Sequence, residues 1–172
     1  MQTYIIAALV EHKPGVLFKV SNMFRWRGFN IESISVGPTE RSDTARMTIT
    51  VRGDKWLLEQ VVKQLNKLID VIKVNLLDTE RTVARELALV KVNAPESTHK
   101  SDIINYTEIF RGRIVDVSHK TLTIEIVGDP DKINAFLKLM KPYGIKEIAR
   151  TGVTALSRGL TSVNKSKGWA ET

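Results

Sequence analysis

The 172-residue chain contains no cysteine. That excludes disulfides, thiol nucleophiles and cysteine-ligated zinc or iron–sulfur centres, and it fits a protein of the reducing cytoplasm. No apolar run approaches the roughly 18 residues that a membrane-spanning helix needs. Met1-Gln2-Thr3 has no basic character, and Ile5 to Val10 is too short for a signal-peptide core, so neither export nor membrane insertion is expected. The common catalytic signatures are missing as well: there is no GxGxxG, GxxxxGK[ST], GxSxG or HExxH. The three histidines, His12, His99 and His119, are not paired at metal-ligand spacing. No catalytic residue and no metal site is therefore expected.

The net charge of +7 raises the question of nucleic acid. The excess is spread evenly. Residues 1–79 carry 11 Lys+Arg against 8 Asp+Glu, and residues 80–172 carry 15 against 11. A mixed solvated surface accounts for that distribution better than a nucleic-acid patch does.

What is present is one pattern, twice. Tyr4 to Val10 is continuously apolar, as a buried strand is. After Pro14-Gly15, Val16, Leu17, Val20, Met23 and Phe24 recur at helical spacing, and Gly28 suits the position just past a helix end. Asn30 to Val36 alternates, with Ile31 and Ile34 among polar neighbours. Ala45, Met47, Ile49 and Val51 then alternate with polar residues, the period of a sheet with one polar face. Gly53-Asp54 predicts a stop and an N-cap before the stripe Leu57, Val61, Val62, Leu65 and Leu68, and Val71 to Leu77 closes the unit. The order β-α-β-β-α-β is the split unit of ferredoxin-like folds.

Residues 79–85 are polar and charged, as a linker is. The pattern then returns: a strand over Leu87 to Val92, a weak helix over 97–110, and a hairpin turning at Ser118-His119-Lys120. A helix follows, introduced by Asp129-Pro130, and a closing strand runs from Ile145 to Ala155. Ser157 onward is a tail too polar to bury much. The expected fold class is α+β, built from two ferredoxin-like βαββαβ domains at 1–78 and 84–156, with a flexible tail at 157–172.

Folds of this order also serve RNA-recognition modules, which stack bases on aromatics of the third strand. Here that strand reads Ala45-Arg46-Met47-Thr48-Ile49-Thr50-Val51, without an aromatic ring. A DNA-acting sensor would need a further helical segment for a helix-turn-helix.

The turn at Glu11 to Leu17 points elsewhere. A helix N-terminus offers unpaired N–H groups and partial positive charge to a carboxylate. Gly15, lacking a side chain, lets a ligand reach the amides of Gly15, Val16 and Leu17. The carboxamide of Asn30 can accept from an ammonium group, and Val16, Leu17 and Ile31 can line an apolar pocket. Taken by itself, the spacing suits a plain chain turn better, with Pro14-Gly15 turning the chain and Asn30 tolerating an unusual backbone angle.

Three stretches closely resemble an ACT domain: Val10-Glu11-His12-Lys13-Pro14-Gly15-Val16-Leu17, Arg27-Gly28-Phe29-Asn30-Ile31-Glu32-Ser33, and Arg46-Met47-Thr48. With Gln64 to Val71, Arg85 to Val92, Glu108 to Val117, Ala149 to Val153 and Leu156 to Gly159, the chain is similar along nearly its whole length to the regulatory small subunits of acetolactate synthase. The resemblance implies a homodimer joined through its ACT domains and a catalytic partner subunit. That partner, not this chain, would carry thiamine diphosphate, FAD and magnesium. It further implies activation of the partner and feedback inhibition by valine, or by leucine or isoleucine, in branched-chain amino acid biosynthesis. The effector positions map onto His12, Gly15, Val16 and Leu17 of one chain and Asn30 and Ile31 of the other. The alternatives are a stand-alone ACT-type amino-acid sensor and an RNA-binding ferredoxin-like module. One residue departs from the family pattern: His12 stands where asparagine is usual. An imidazole can donate like a carboxamide but titrates near neutrality, so effector binding is expected to vary between about pH 5 and 8.

Overall fold

The computed structural model describes residues 2–159. Their Cα positions divide into two compact units, residues 2–83 with 154–159, and residues 84–153. The second unit thus closes at residue 153 rather than 156.

In the first unit β1 (Gln2–Glu11), α1 (Val16–Arg27), β2 (Ser33–Pro38), β3 (Thr44–Gly53), α2 (Lys55–Leu65) and β4 (Val71–Leu77) follow in the expected order. The sheet runs β2-β3-β1-β4, with every pairing antiparallel. Period two decides the packing. Ile6, Ala8 and Val10 of β1 and Met47, Ile49 and Val51 of β3 turn to one face, where they meet Val16, Val20 and Phe24 of α1 and Leu58, Val61 and Leu65 of α2. All twelve are buried. The start signals work as the sequence suggests. Asp54 caps α2 by accepting from the Leu57 N–H at 2.8 Å, and Gly28 ends α1 at φ 66°.

The opposite face of this sheet is also covered. Thr44, Thr48 and Thr50 of β3 and Ala7 of β1 are buried there, and β9 (Thr154–Ser157) returns to the same unit. Arg46 Nη2 donates to the Ala155 carbonyl at 2.7 Å, and the hydroxyls of Ser35 and Thr154 lie 3.1 Å apart.

The second unit repeats the plan with β5 (Thr82–Asn93), α3 (Ser97–Ile109), β6 (Arg113–Val117), β7 (Thr121–Gly128), α4 (Pro130–Met140) and β8 (Ile145–Arg150). Its strand order, β6-β7-β5-β8, matches that of the first sheet position for position. Ala88, Val90, Val92, Leu122, Ile124 and Ile126 pack against Ile103 of α3 and Ile133, Phe136 and Met140 of α4. Asp129 caps α4 through the Lys132 N–H at 2.8 Å. The two units confirm the α+β class and the doubled ferredoxin-like order.

Three boundaries differ from expectation. The polar stretch 79–85 does hold the division between the two units, but it is structured: after one 3₁₀ turn at Thr79–Arg81, β5 begins at Thr82. Just beyond the stretch, Glu86, 5% exposed, pairs with Arg150 through two short contacts of 2.7 and 2.6 Å. The segment Ile145 to Ala155 is two strands, separated where Gly152 adopts φ 77°. Of the expected tail, Ser157 ends β9, and the Arg158 N–H donates to the Arg81 carbonyl at 2.7 Å. Residues 160–172 lie outside the described residues. No helix among the described residues is long and apolar enough to cross a membrane.

Candidate functional site

The site begins where β1 leaves the sheet. Pro14 cannot donate a ladder hydrogen bond, and Gly15 takes φ 87°, a left-handed conformation that ordinary side chains rarely adopt. This turns the chain directly into α1. Gly15 holds the N-cap position, yet no side chain caps the helix and no acidic residue lies in its first turn. The helix N-terminus therefore keeps its N–H groups and its partial positive charge available. Nothing lies within 4 Å of the point where a Gly15 side chain would start. The main chain is approachable there.

Each expected residue has a definite place. The His12 N–H donates to the Asp43 carbonyl at 2.8 Å, and its Nδ1 lies 3.4 Å from the Ser42 carbonyl, so the imidazole sits against the β2–β3 turn on the surface. Val16 differs from expectation: its side chain is buried in the core, and what it can offer a ligand is its N–H. Leu17, 48% exposed, supplies the apolar surface. Asn30 and Ile31 precede β2 instead of starting it. The Asn30 amide donates to Glu32 Oε1 at 3.1 Å, and Ile31 packs against the rim of the core.

These residues do not converge within one chain. Gly15 and Asn30 flank the twelve residues of α1, about 18 Å of helix. The sheet register gives the same separation independently. Glu11 pairs with Thr44 and Ser33 with Thr50, which puts the two ends about 20 Å apart along β3. A free amino acid is only a few ångströms across and cannot touch both.

The sequence did not single out the charged cluster beneath the turn. Asp70, 2% exposed, lies just before β4. Its Oδ1 is 2.7 Å from Lys13 Nζ and its Oδ2 is 2.5 Å from Lys19 Nζ; Lys13 also pairs with Glu11. Lys13 and Lys19, each donating to it, hold the Asp70 carboxyl below the usual carboxylate range, and the same pairing raises Lys13 above the usual lysine value. The signal was available: one acid inside the run Leu68-Ile69-Asp70-Val71-Ile72 calls for a partner if it is buried.

Among the described residues no group of three or more His, Asp or Glu side chains could hold a metal ion. The helix-free face of the first sheet carries Ile5, Ala7 and Leu9 of β1 and Thr44, Arg46, Thr48 and Thr50 of β3, so it presents no aromatic platform for bases.

The chain is a doubled ferredoxin-like fold whose first helix begins, behind Pro14-Gly15, without a capping side chain. Comparison with known proteins makes this specific. The family model described as "AHAS small subunit-like ACT domain" matches residues 6–73, and that described as "Small subunit of acetolactate synthase" matches residues 85–159. The probable acetolactate synthase small subunit of Methanothermobacter thermautotrophicus is 62% identical over 157 residues, covering 91% of this chain and 94% of that protein. The acetolactate synthase small subunit of Mycolicibacterium smegmatis is 49% identical over 165 residues, covering 96% of each. The crystal structure of the acetolactate synthase small subunit from Thermotoga maritima superposes with a TM-score of 0.86 at 44% identity, covering 94% of this chain and 100% of that one. The chain belongs to the acetolactate synthase small-subunit family. A small subunit of such an enzyme has a catalytic-subunit partner.

Proposed function

We propose that this chain is the non-catalytic regulator of its acetolactate synthase: it activates the catalytic subunit and inhibits it when a branched-chain amino acid, valine foremost, is bound between two copies of the chain. The bound carboxylate lies on the N–H groups of Gly15, Val16 and Leu17 of one protomer, beside His12. The ammonium and side chain meet Asn30 and Ile31 of the partner. The thiamine diphosphate, FAD and magnesium of the reaction belong to the catalytic subunit.

One observation carries this reading. The open helix N-terminus and the Asn30–Ile31 segment lie about 20 Å apart on one chain, so a small ligand using both must bridge two chains. A ligand bound in that way ties the geometry of the dimer to effector concentration. It can regulate because its binding energy differs between the two assemblies. A metabolic sensor working at micromolar to millimolar valine uses about 4–8 kcal/mol, well within what such a ligand can supply.

The test is reconstitution with the catalytic subunit, with activity assayed with and without valine. Gly15→Asp should abolish inhibition, because a carboxylate would sit against the ligand's own. Gly15→Asn carries the same shape without the charge, and both residues tolerate the left-handed backbone better than most. It should retain more of the valine response than Gly15→Asp does. Full valine sensitivity in Gly15→Asp would show the site to be misplaced.

A further inference from the structure

The turn from β1 to α1 has no capping side chain of its own, yet an anion site made of main-chain N–H groups works only if those groups are held convergent before the ligand arrives. The restraint lies below it. We propose that Asp70 is the positioning residue of the effector turn: one buried carboxylate, reached by Lys13 from the strand side and by Lys19 from the helix side, holds Gly15, Val16 and Leu17 in their receptive arrangement. This rests on the effector reading given above and extends it to residues that do not touch the ligand.

Three features support it. Asp70 is fixed at its own main chain, where its carbonyl accepts the Glu11 N–H at 2.9 Å beside the bulge in the β1–β4 pairing at Leu9/Val10. Each carboxylate oxygen serves one lysine, so the two sides of the turn are fastened separately. The carboxylate is buried, whereas both lysines are half-exposed, so the anchor lies inside and the ammonium groups are drawn to it.

The charge count gives the proposal a direction. Lys13 and Lys19 are balanced by Glu11 and Asp70, so an arriving carboxylate meets main-chain N–H groups rather than free ammonium groups. Asp70→Asn leaves the cluster with one excess positive charge. If the lysines acted by attracting the effector, that variant would bind valine more tightly. If Asp70 acts by holding the turn, it binds more weakly, because the turn must order on binding.

The experiment is a calorimetric valine titration of the full chain at fixed pH and salt, with amide hydrogen exchange followed by NMR. The proteins are wild type, Asp70→Asn, the Lys13→Met/Lys19→Met pair and the combined triple variant. The expected result is that Asp70→Asn raises the valine Kd about tenfold or more, the cost of ordering a residue or so of main chain. Exchange of the Lys19 amide, the first to donate within α1 (to the Gly15 carbonyl at 3.0 Å), and of the Val20 and Ser21 amides should quicken while Met47 and Ile49 of β3 keep their protection. The lysine pair should behave alike, and the triple variant should be no worse than the worse of the two, because all three residues act as one unit. An unchanged or tighter Kd in Asp70→Asn overturns the proposal alone. So does a weaker Kd accompanied by loss of protection throughout β3, which would make Asp70 a general folding residue. Wild-type protein that takes up no branched-chain amino acid overturns the effector reading and this proposal with it.

Discussion

The guanidinium of Arg46 on β3 donates to the main-chain carbonyl of Ala155 on β9, at 2.7 Å and across 109 residues of sequence. This contact joins residues 154–159 to the first unit. Burial lowers the Arg46 pKa from its usual value, and Nε is buried without a hydrogen-bond partner, so the residue is held at some cost. Two substitutions separate the terms. Arg46→Met keeps the stem and removes the orphan nitrogen, and should destabilise by about 1 kcal/mol. Arg46→Ala also loses the packing and should cost about 2–3 kcal/mol. Urea unfolding of the full chain measures both.

Glu86 and Arg150 make the corresponding test in the second unit. The Glu86 carboxylate accepts from Arg150 Nε and Nη2, and Asn134 accepts from Nη1 at 3.2 Å. Glu86 is nearly inaccessible and Arg150 about a third exposed. Glu86→Ala should therefore destabilise by about 2–3 kcal/mol, below the figure for a fully buried pair because water can reach the arginine. Thermal unfolding with separate probes of the two units should place the loss in residues 84–153.

Acid should loosen the turn between β1 and α1. Lys13 first, and Lys19 with it, lower the Asp70 pKa, so the unfolded chain takes up a proton there more readily than the folded one. The contribution of this cluster is complete above the ordinary aspartate value near about 4, and is lost as pH falls through the lower folded value. Asp70→Asn should flatten the stability curve below about pH 4. Denaturant midpoints measured from pH 2 to 7 check the sign.

On the effector reading His12 lies beside the bound carboxylate. His12→Ala should weaken valine binding, and His12→Asn, which keeps a side-chain donor, should retain more of it. Calorimetry on the full chain decides. Unchanged affinity in His12→Ala removes His12 from contact with the effector.

Much of the fold was legible because local chemistry and tertiary packing agree. Asp54 and Asp129 precede amphipathic stripes and do cap helices, and Gly28 takes the positive φ that a helix end favours. Alternation at Ala45 to Val51 separates the core face of β3 from the face where Arg46 lies. What was not legible depends on distant partners. Residues 79–85 look like a linker because they are charged, yet β5 already begins at Thr82, and the next residue after the stretch, Glu86, finds its partner Arg150 64 residues on. The break after Arg150 is hidden by continued alternation. It forms where the Thr151 N–H donates to the Leu87 carbonyl at 3.1 Å and Gly152 takes φ 77°. In the candidate site, Gly15 was legible from Pro14-Gly15 alone. The buried orientation of Val16 was not, since Val16 and Leu17 are both apolar and only the phase of the helix decides which one enters the core. Asp70 was missed because Lys13 and Lys19 lie more than 50 residues away in sequence.

The most direct measurement is a crystal structure of the full chain grown with saturating valine. The account predicts valine at a seam between two copies, with its carboxylate on the main-chain N–H groups of Gly15, Val16 and Leu17 of one and its ammonium beside Asn30 of the other. An empty crevice there, a crevice filled by the protein's own side chains, or valine held wholly within one protomer would contradict it.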